Sequence, residues 1–178
     1  MAALNSGQLS LKPQDLLVAL KIAVNRDRDF KLTELSAELH MAVSVIHGSI
    51  CRNEQSRLIS RSSGRIRVVR SALSEFVVFG AKYAFPANLG PLVKGVPTAI
   101  GGPALRSQFE HLDALSPVWA DPDGSGYGPS VTPLSLTVPA ACKSDYSLYE
   151  VLTLFDALRV GAARERELAV IQLKERLS

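Results

Sequence analysis

The sequence has 178 residues, of which 47% are hydrophobic and 21% charged, with a formal net charge of +3. This composition is that of a folded globular protein with one domain or two small ones, and it excludes a disordered or collagen-like chain. The longest apolar stretch, FVVFGAKYAF, contains Lys82 and is too short to span a bilayer, and the first residues lack the pattern of a signal peptide. Cys51 and Cys142 have neither metal-type nor redox-type spacing. We therefore expect free thiols, a cytoplasmic location and no membrane association.

Three helices are predicted in the first part of the chain. Pro13 and Asp15 suit the first turn of a helix that continues to about residue 25. The segment 32–39 is predicted to be a second helix. Ser44 is predicted to be the N-cap of a third helix, which follows after a tight turn.

The stretch RLISRSSGRIRVVR, residues 57–70, is predicted to form a β-hairpin that turns at Ser-Ser-Gly. Residues 52–70 contain six arginines and one glutamate. These residues carry a local charge of +5, so the remainder of the chain, at −2, is mildly acidic. A mildly acidic body with one basic patch is typical of proteins that bind nucleic acid or phosphate. The alternative interpretation is a solvated hairpin whose charges keep an edge strand soluble.

The remainder of the chain divides into a helix, an irregular segment and two further helices. Residues 71–84 are predicted to be helical, ending before Pro86. Residues 86–145 contain nine of the ten prolines and seven of the twelve glycines, but also many apolar residues. We expect this segment to be ordered and irregular, with a short helix at 104–114.

The last part of the chain, residues 146–178, is predicted to be a helical hairpin. Ser147 and Glu150 have the spacing of a capping box, and Gly161 marks a break before a helix over 162–177. The two helices are expected to pack within the chain or to form a dimer interface, of which the dimer is favoured.

The order helix, helix, tight turn, helix, basic hairpin, helix is that of a winged helix-turn-helix module. The stretch LSAELHMAVSVIHGSICRNEQSRLI resembles the helix-turn-helix of bacterial winged-helix transcriptional regulators. His40 stands where the family has its turn glycine, Asn53 replaces an apolar residue and Arg57 replaces a glycine. The resemblance implies a DNA-binding module followed by a helical C-terminal part. It also implies control of the protein's own operon and, in some members, an antitoxin role.

The candidate DNA-binding residues follow from this geometry. The outward residues of the recognition helix 44–56 would meet base edges in the major groove. The arginines of the wing, residues 58–70, would neutralise phosphates or enter the minor groove. The predicted set is Ser44, Val45, His47, Gly48, Ser49, Arg52, Arg61, Arg65 and Arg67. An exposed surface histidine is an equally good interpretation of His47.

Other patterns in the sequence do not indicate catalysis. His40, His47 and His111 have no partner at metal or triad spacing, so we expect no enzyme activity, no metal and no cofactor. The segment DPDGSG, from Asp121, is predicted to be a turn rather than a calcium loop, because the twelfth position is Thr132. Trp119 is interpreted as a packing anchor.

The sequence therefore predicts a mainly α, α+β protein with three regions. Residues 11–85 would be the winged helix-turn-helix, 86–145 the irregular segment and 146–178 the helical hairpin. The expected function is that of a homodimeric repressor that binds double-stranded DNA. One alternative is an antitoxin that binds a toxin through residues 86–178 and regulates its own operon. Another is a winged-helix protein–protein interaction module.

Overall fold

The computed structural model describes residues 10–62, 64–109 and 115–178, and it is a mixed α+β fold. The first two helices are α1 (Pro13–Val24) and α2 (Leu32–Leu39), as predicted. Proline at the first position of α1 lacks an N–H, and thus removes one of the donors that have no acceptor at a helix N-terminus. The carboxylate of Asp15 accepts a hydrogen bond from the N–H of Lys12 at 2.7 Å, which closes that turn.

The connection from α2 to the third helix turns sharply at His40. His40 has φ 53° and ψ 42°, the left-handed conformation that its place in the sequence predicted. Helix α3 (Val43–Gln55) has Ala42 at its N-cap, two residues earlier than expected. The prediction that Ser44 is the N-cap is therefore wrong, and Ser44 lies inside the first helical turn.

The predicted hairpin forms between β1 (Ile59–Ser62) and β2 (Arg65–Val68). The strands are antiparallel, and Ile59 is paired with Val68. Gly64 has φ 76° in the turn, a conformation that glycine adopts without steric cost. Arg57 stands where the resembled regulators have glycine, and it also has a positive φ, of 58°.

The helix predicted over 71–84 is present but contains a π-helical turn. Helix α4 (Arg70–Glu75) leads into the π turn Phe76–Gly80, and α5 (Ala81–Ala84) completes the run. The N–H of Ala81 donates to the carbonyl of Phe76, the longer hydrogen bond that defines a π turn. The side-chain periodicity of the sequence does not reveal such an inserted residue.

The prediction of an irregular segment over 86–145 is wrong in part, because it contains a small sheet. The strands are β3 (Leu89–Pro97), β4 (Val118–Ala120) and β5 (Gly126–Val131). Strand β3 is antiparallel to both others, and β4 and β5 touch in a parallel pair, so the three strands form a closed sheet. The segment that begins at Asp121 is a turn between β4 and β5, as predicted.

The short helix expected at 104–114 is reduced to a 3₁₀ turn over Arg106–Gln108, and residues 110–114 of that prediction lie outside the described residues. The last helices are α6 (Val138–Lys143), α7 (Tyr146–Val160) and α8 (Ala163–Leu177). Gly161 separates α7 from α8 as predicted. The predicted capping box is wrong: the N-cap of α7 is Asp145, whose carboxylate accepts from the N–H of Leu148 at 2.9 Å.

A continuous apolar core joins the N-terminal helices to α7 and α8. Every residue from Val151 to Leu158 is buried within the chain, so this face of α7 is not free to form the dimer interface that the sequence favoured. A dimer would need other residues.

Two buried polar clusters connect the N-terminal helices and the small sheet to the C-terminal part of the chain. The ammonium of Lys21 in α1 lies 2.6 Å from both Asp145 and Glu38. Burial by itself raises the pKa of Asp145, but hydrogen bonds from Lys21, Asn25 and the N–H of Leu148 bring it below its usual value. In the second cluster, Asp156 of α7 accepts from the indole of Trp119 at 2.6 Å. The indole ring is buried, so Trp119 packs as predicted.

Candidate functional site

The first turn of α3 presents exposed side chains to solvent. Val43 and Val45 are 42% and 36% exposed, and Ser44 and His47 are exposed beside them. Gly48 is half-buried and lies on the same helix one turn further along. The sequence correctly placed Ser44, Val45 and His47 outward. It did not single out Val43, because Ser44 was taken as the residue before the helix.

Two residues predicted to face outward do not. Ser49 is buried, and Arg52 turns inward to the buried carboxylate of Asp15 in α1. The outward placement of Ser49 and Arg52 is therefore wrong. The physical reason is the seam between α1 and α3, where polar groups satisfy one another: Asn53 Nδ2 donates to the carbonyl of Asp15 and to that of Ser49, at 2.9 Å each.

Arg52 is committed to this seam by two hydrogen bonds. Its Nε and Nη2 donate to the two carboxylate oxygens of Asp15, each at 2.7 Å. The hydrogen bonds to Asp15 raise the pKa of Arg52 above its ordinary value, so the side chain stays charged and paired. Such bidentate geometry is among the strongest available to arginine.

The arginines of the hairpin remain at the surface and have carboxylate neighbours. Arg61 Nη2 lies 2.7 Å from Glu54, and the hydrogen bond to Glu54 raises the pKa of Arg61. Arg65 and Arg67 lie 3.3 Å and 2.5 Å from the carboxylate of Asp29. Arg65 is the most exposed of the three, with 64% of its side chain accessible.

The other two arginines of the stretch 57–70 have different environments. Arg57 is exposed and has no ion pair within the described residues. Arg70 is half-buried and donates to backbone carbonyls at the ends of two helices, Ala23 at 2.8 Å and Ser178 at 3.0 Å. Burial lowers the pKa of Arg70. A cation at helix C-termini is electrostatically favourable, so Arg70 stabilises the fold.

Arg61 connects the hairpin to α3. Its guanidinium, on β1, donates to the Sγ of Cys51 at 3.5 Å as well as pairing with Glu54, and both partners belong to α3. Arg61 therefore lies beside α3, whereas Arg65 and Arg67 contact Asp29, between α1 and α2. We call the exposed side chains of the two elements, which are Arg57, Arg61, Arg65 and Arg67 with Val43, Ser44, Val45 and His47, the α3–hairpin surface.

The potential metal-ligating side chains of the described residues are dispersed. No group of three or more His, Cys, Asp or Glu side chains that could hold a metal occurs among them. His111 lies outside the described residues. The ring of His47 has the thiol of Cys51 as its neighbour, at 3.9 Å from Nε2. Burial raises the pKa of the other thiol, Cys142, which favours its neutral form.

No family model, curated protein or solved structure matches the chain. Within the described ranges, no helix combines the length and the apolar character needed to cross a membrane. The interpretation of the α3–hairpin surface therefore depends on its own geometry and charge.

Proposed function

We propose that the protein is a sequence-specific double-stranded DNA-binding transcriptional regulator of the winged helix-turn-helix type. The observation that carries the proposal is the position of Arg61, which joins β1 to Glu54 and Cys51 of α3. It supports a module in which α3 enters the major groove while the β1–β2 hairpin, as the wing, follows the adjacent backbone.

The charge of the hairpin suits phosphate. Arg57, Arg61, Arg65 and Arg67 outnumber their neighbouring carboxylates, Glu54 and Asp29. Ion pairs between exposed side chains contribute only about 0–1 kcal/mol, so a phosphate can replace Glu54 or Asp29 at little cost.

The start of α3 also suits a phosphate contact. Its N-cap, Ala42, has no side chain able to accept from the first backbone N–H groups of the helix. Unsatisfied N–H groups at a helix N-terminus, together with the helix dipole, attract anions. The α3 backbone would thus position the module, while Ser44 and His47 meet base edges.

We further propose that the protein acts as a homodimeric repressor. A reader with one recognition helix reaches useful affinity and specificity when a two-fold partner binds a second half-site. Light scattering during size-exclusion chromatography would be expected to give twice the mass of the chain. A monomer at the concentrations that bind DNA would contradict the dimer without contradicting DNA binding.

The test of the DNA-binding proposal is fluorescence anisotropy with the full chain. The probes are the duplex upstream of the protein's own coding sequence and a scrambled duplex of the same composition, across a salt series. We expect tighter binding to the native duplex and a steep loss of affinity with salt. Absence of binding to both duplexes at low salt would contradict the proposal.

An antitoxin role is the second candidate function, favoured by apolar side chains exposed on residues 86–178. Leu92 and Tyr127, on β3 and β5, are 51% and 58% exposed, and Leu136 is 90% exposed. Exposed apolar groups of this size are typical of surfaces that bind another protein. Co-purification of a second protein from the native source, lost on Leu92→Asp and Tyr127→Asp substitution, would support this role. Recovery of the chain alone would favour the regulator without a toxin partner.

A further inference from the structure

The exposed residues at the start of α3 include two apolar side chains, which phosphate binding does not require. Val43 and Val45 flank Ser44 in the first helical turn, and both are open to solvent, whereas Ile46 and Ile50 fill the core. Valine is among the residues most often buried. At the end of the helix that would enter the groove first, these two valines offer apolar surface to the bases.

The packing of α3 against α1 leaves few polar side chains of α3 available for contacts with bases. Arginine is the residue that most often reads guanine, through two hydrogen bonds to O6 and N7. Arg52 uses its Nε and Nη2 on Asp15, and Ser49 is buried beside it. Base recognition by the first turns of α3 is thus left to Ser44, His47 and the two valines.

We propose that Val43 and Val45 recognise the 5-methyl groups of thymines in the major groove. The inference rests on the proposed function and names the class of duplex: one with thymines where the first turn of α3 enters. The thymine methyl is the apolar group that the bases present in that groove, and apolar side chains contact it. A cytosine at the same place would offer an amino group that valine cannot satisfy.

The geometry of the surface agrees with this assignment. The N-terminal residues of a recognition helix are those that contact base edges. Arg61, beside α3, and the other exposed arginines of the hairpin supply charge complementary to the duplex. The valines therefore meet bases while the cationic side chains hold the phosphates.

The experiment begins with duplexes enriched from a randomised pool by the full-length chain. In the enriched duplex, each thymine is exchanged singly for deoxyuridine, which removes the methyl group and leaves base pairing intact. Affinity is measured by fluorescence anisotropy. We expect about a fourfold weaker binding for each contacted thymine, the factor that corresponds to losing one buried methyl group.

Val43→Ala and Val45→Ala connect each methyl group to its valine. Each variant is expected to bind the unmodified duplex more weakly, and to lose its sensitivity to uracil at one thymine while keeping it at the other. Ile171→Ala is the matched control, because Ile171 is an exposed aliphatic residue on α8, and it should keep the full pattern.

Failure of the proposed function and failure of the inference would give different results. A pool that yields no enriched sequence would contradict both the proposed function and the inference. Enriched duplexes whose affinity is unchanged by every thymine-to-uracil exchange would overturn the inference and leave the DNA-binding function standing. If both valine variants keep uracil sensitivity at every thymine where the parent protein shows it, the inference is equally overturned, because the methyl groups would then be read by other residues.

Discussion

Arg52 and Asp15 form a two-point ion pair across the seam between α3 and α1, with both N–O distances at 2.7 Å. Asp15 is buried and Arg52 retains only 16% of its side-chain exposure. Asp15→Asn should lower the free energy of unfolding by about 3 kcal/mol, since removing one charge of a buried pair leaves the other uncompensated. Urea denaturation measures this loss. Arg65→Ala, which breaks an exposed pair, should cost less than about 0.5 kcal/mol; equal losses in the two variants would contradict the assignment.

Removing wing arginines should weaken binding to every duplex alike. Arg61→Ala and Arg65→Ala each take away one phosphate partner, so the slope of log K against log salt should become shallower by about 1 per arginine. With three phosphates contacted per subunit, we expect the unsubstituted protein to show a slope of roughly −3. Arg106→Ala serves as the control, since Arg106 is an exposed arginine outside the hairpin. Unchanged affinity in both hairpin variants would exclude the wing assignment.

Sequence preference should depend on His47 and not on Ser49. His47 is exposed on α3, so His47→Ala should alter which base is preferred at one position of the enriched duplex. Ser49 is buried against α1, and Ser49→Ala should leave the preference unchanged. Competition binding with single-base variants of the duplex tests both. A changed preference in Ser49→Ala alone would show that α3 presents a different face to DNA.

Stability should fall in acid as Glu38 becomes protonated. The hydrogen bond from Arg28, with that from Lys21, lowers the pKa of Glu38 to about 2, although desolvation opposes the shift. A folded-state pKa below the unfolded value stabilises the protein above about pH 4.5, and this contribution disappears as the pH falls towards 2. Because Arg28 is exposed, we expect a contribution of only about 1–2 kcal/mol. Glu38→Gln should lower stability at pH 7 and flatten this part of the pH profile in chemical denaturation; an unchanged profile would contradict it.

The indole N–H of Trp119 should contribute to stability in addition to the packing of the ring. Trp119 Nε1 donates to the buried carboxylate of Asp156, which also accepts from Thr98 Oγ1 at 2.8 Å. Trp119→Phe keeps a ring but removes the donor, and should cost about 1–3 kcal/mol because a buried carboxylate loses one of its hydrogen-bond donors. The control is Tyr127→Phe, at an exposed ring. Thermal unfolding that shows no difference between the two would exclude a structural role for this hydrogen bond.

Local patterns in the sequence predicted the parts of the fold that local physics determines. The helix over 32–39 and the glycine of the hairpin turn each reflect neighbouring residues, and both predictions are confirmed. The sheet was missed because glycine and proline interrupt β3. Its pairing with β5 also joins distant segments: Leu92 lies opposite Pro129.

The two wrong predictions on α3 also arise from contacts between residues that are distant in the sequence. Ser49 and Arg52 were placed outward by helical spacing from the resemblance, whereas their orientation is set by Asp15, 37 residues before Arg52. The polar Asn53 at an inward position was the available signal. A buried amide needs a polar neighbour, so Asn53 indicated that the inner face of α3 meets polar groups rather than a purely apolar core.

The ammonium of Lys21 makes the N-terminal helices dependent on residues far along the chain. Its partner Asp145 is 124 residues away and is also the cap of α7, while its other partner, Glu38, belongs to α2. A fragment that ends at residue 85 would leave this charge buried without Asp145 and would expose the face of α1 that packs on α7. Residues 11–85 are therefore not an independent unit: transferred to another protein, they would require α7 as well.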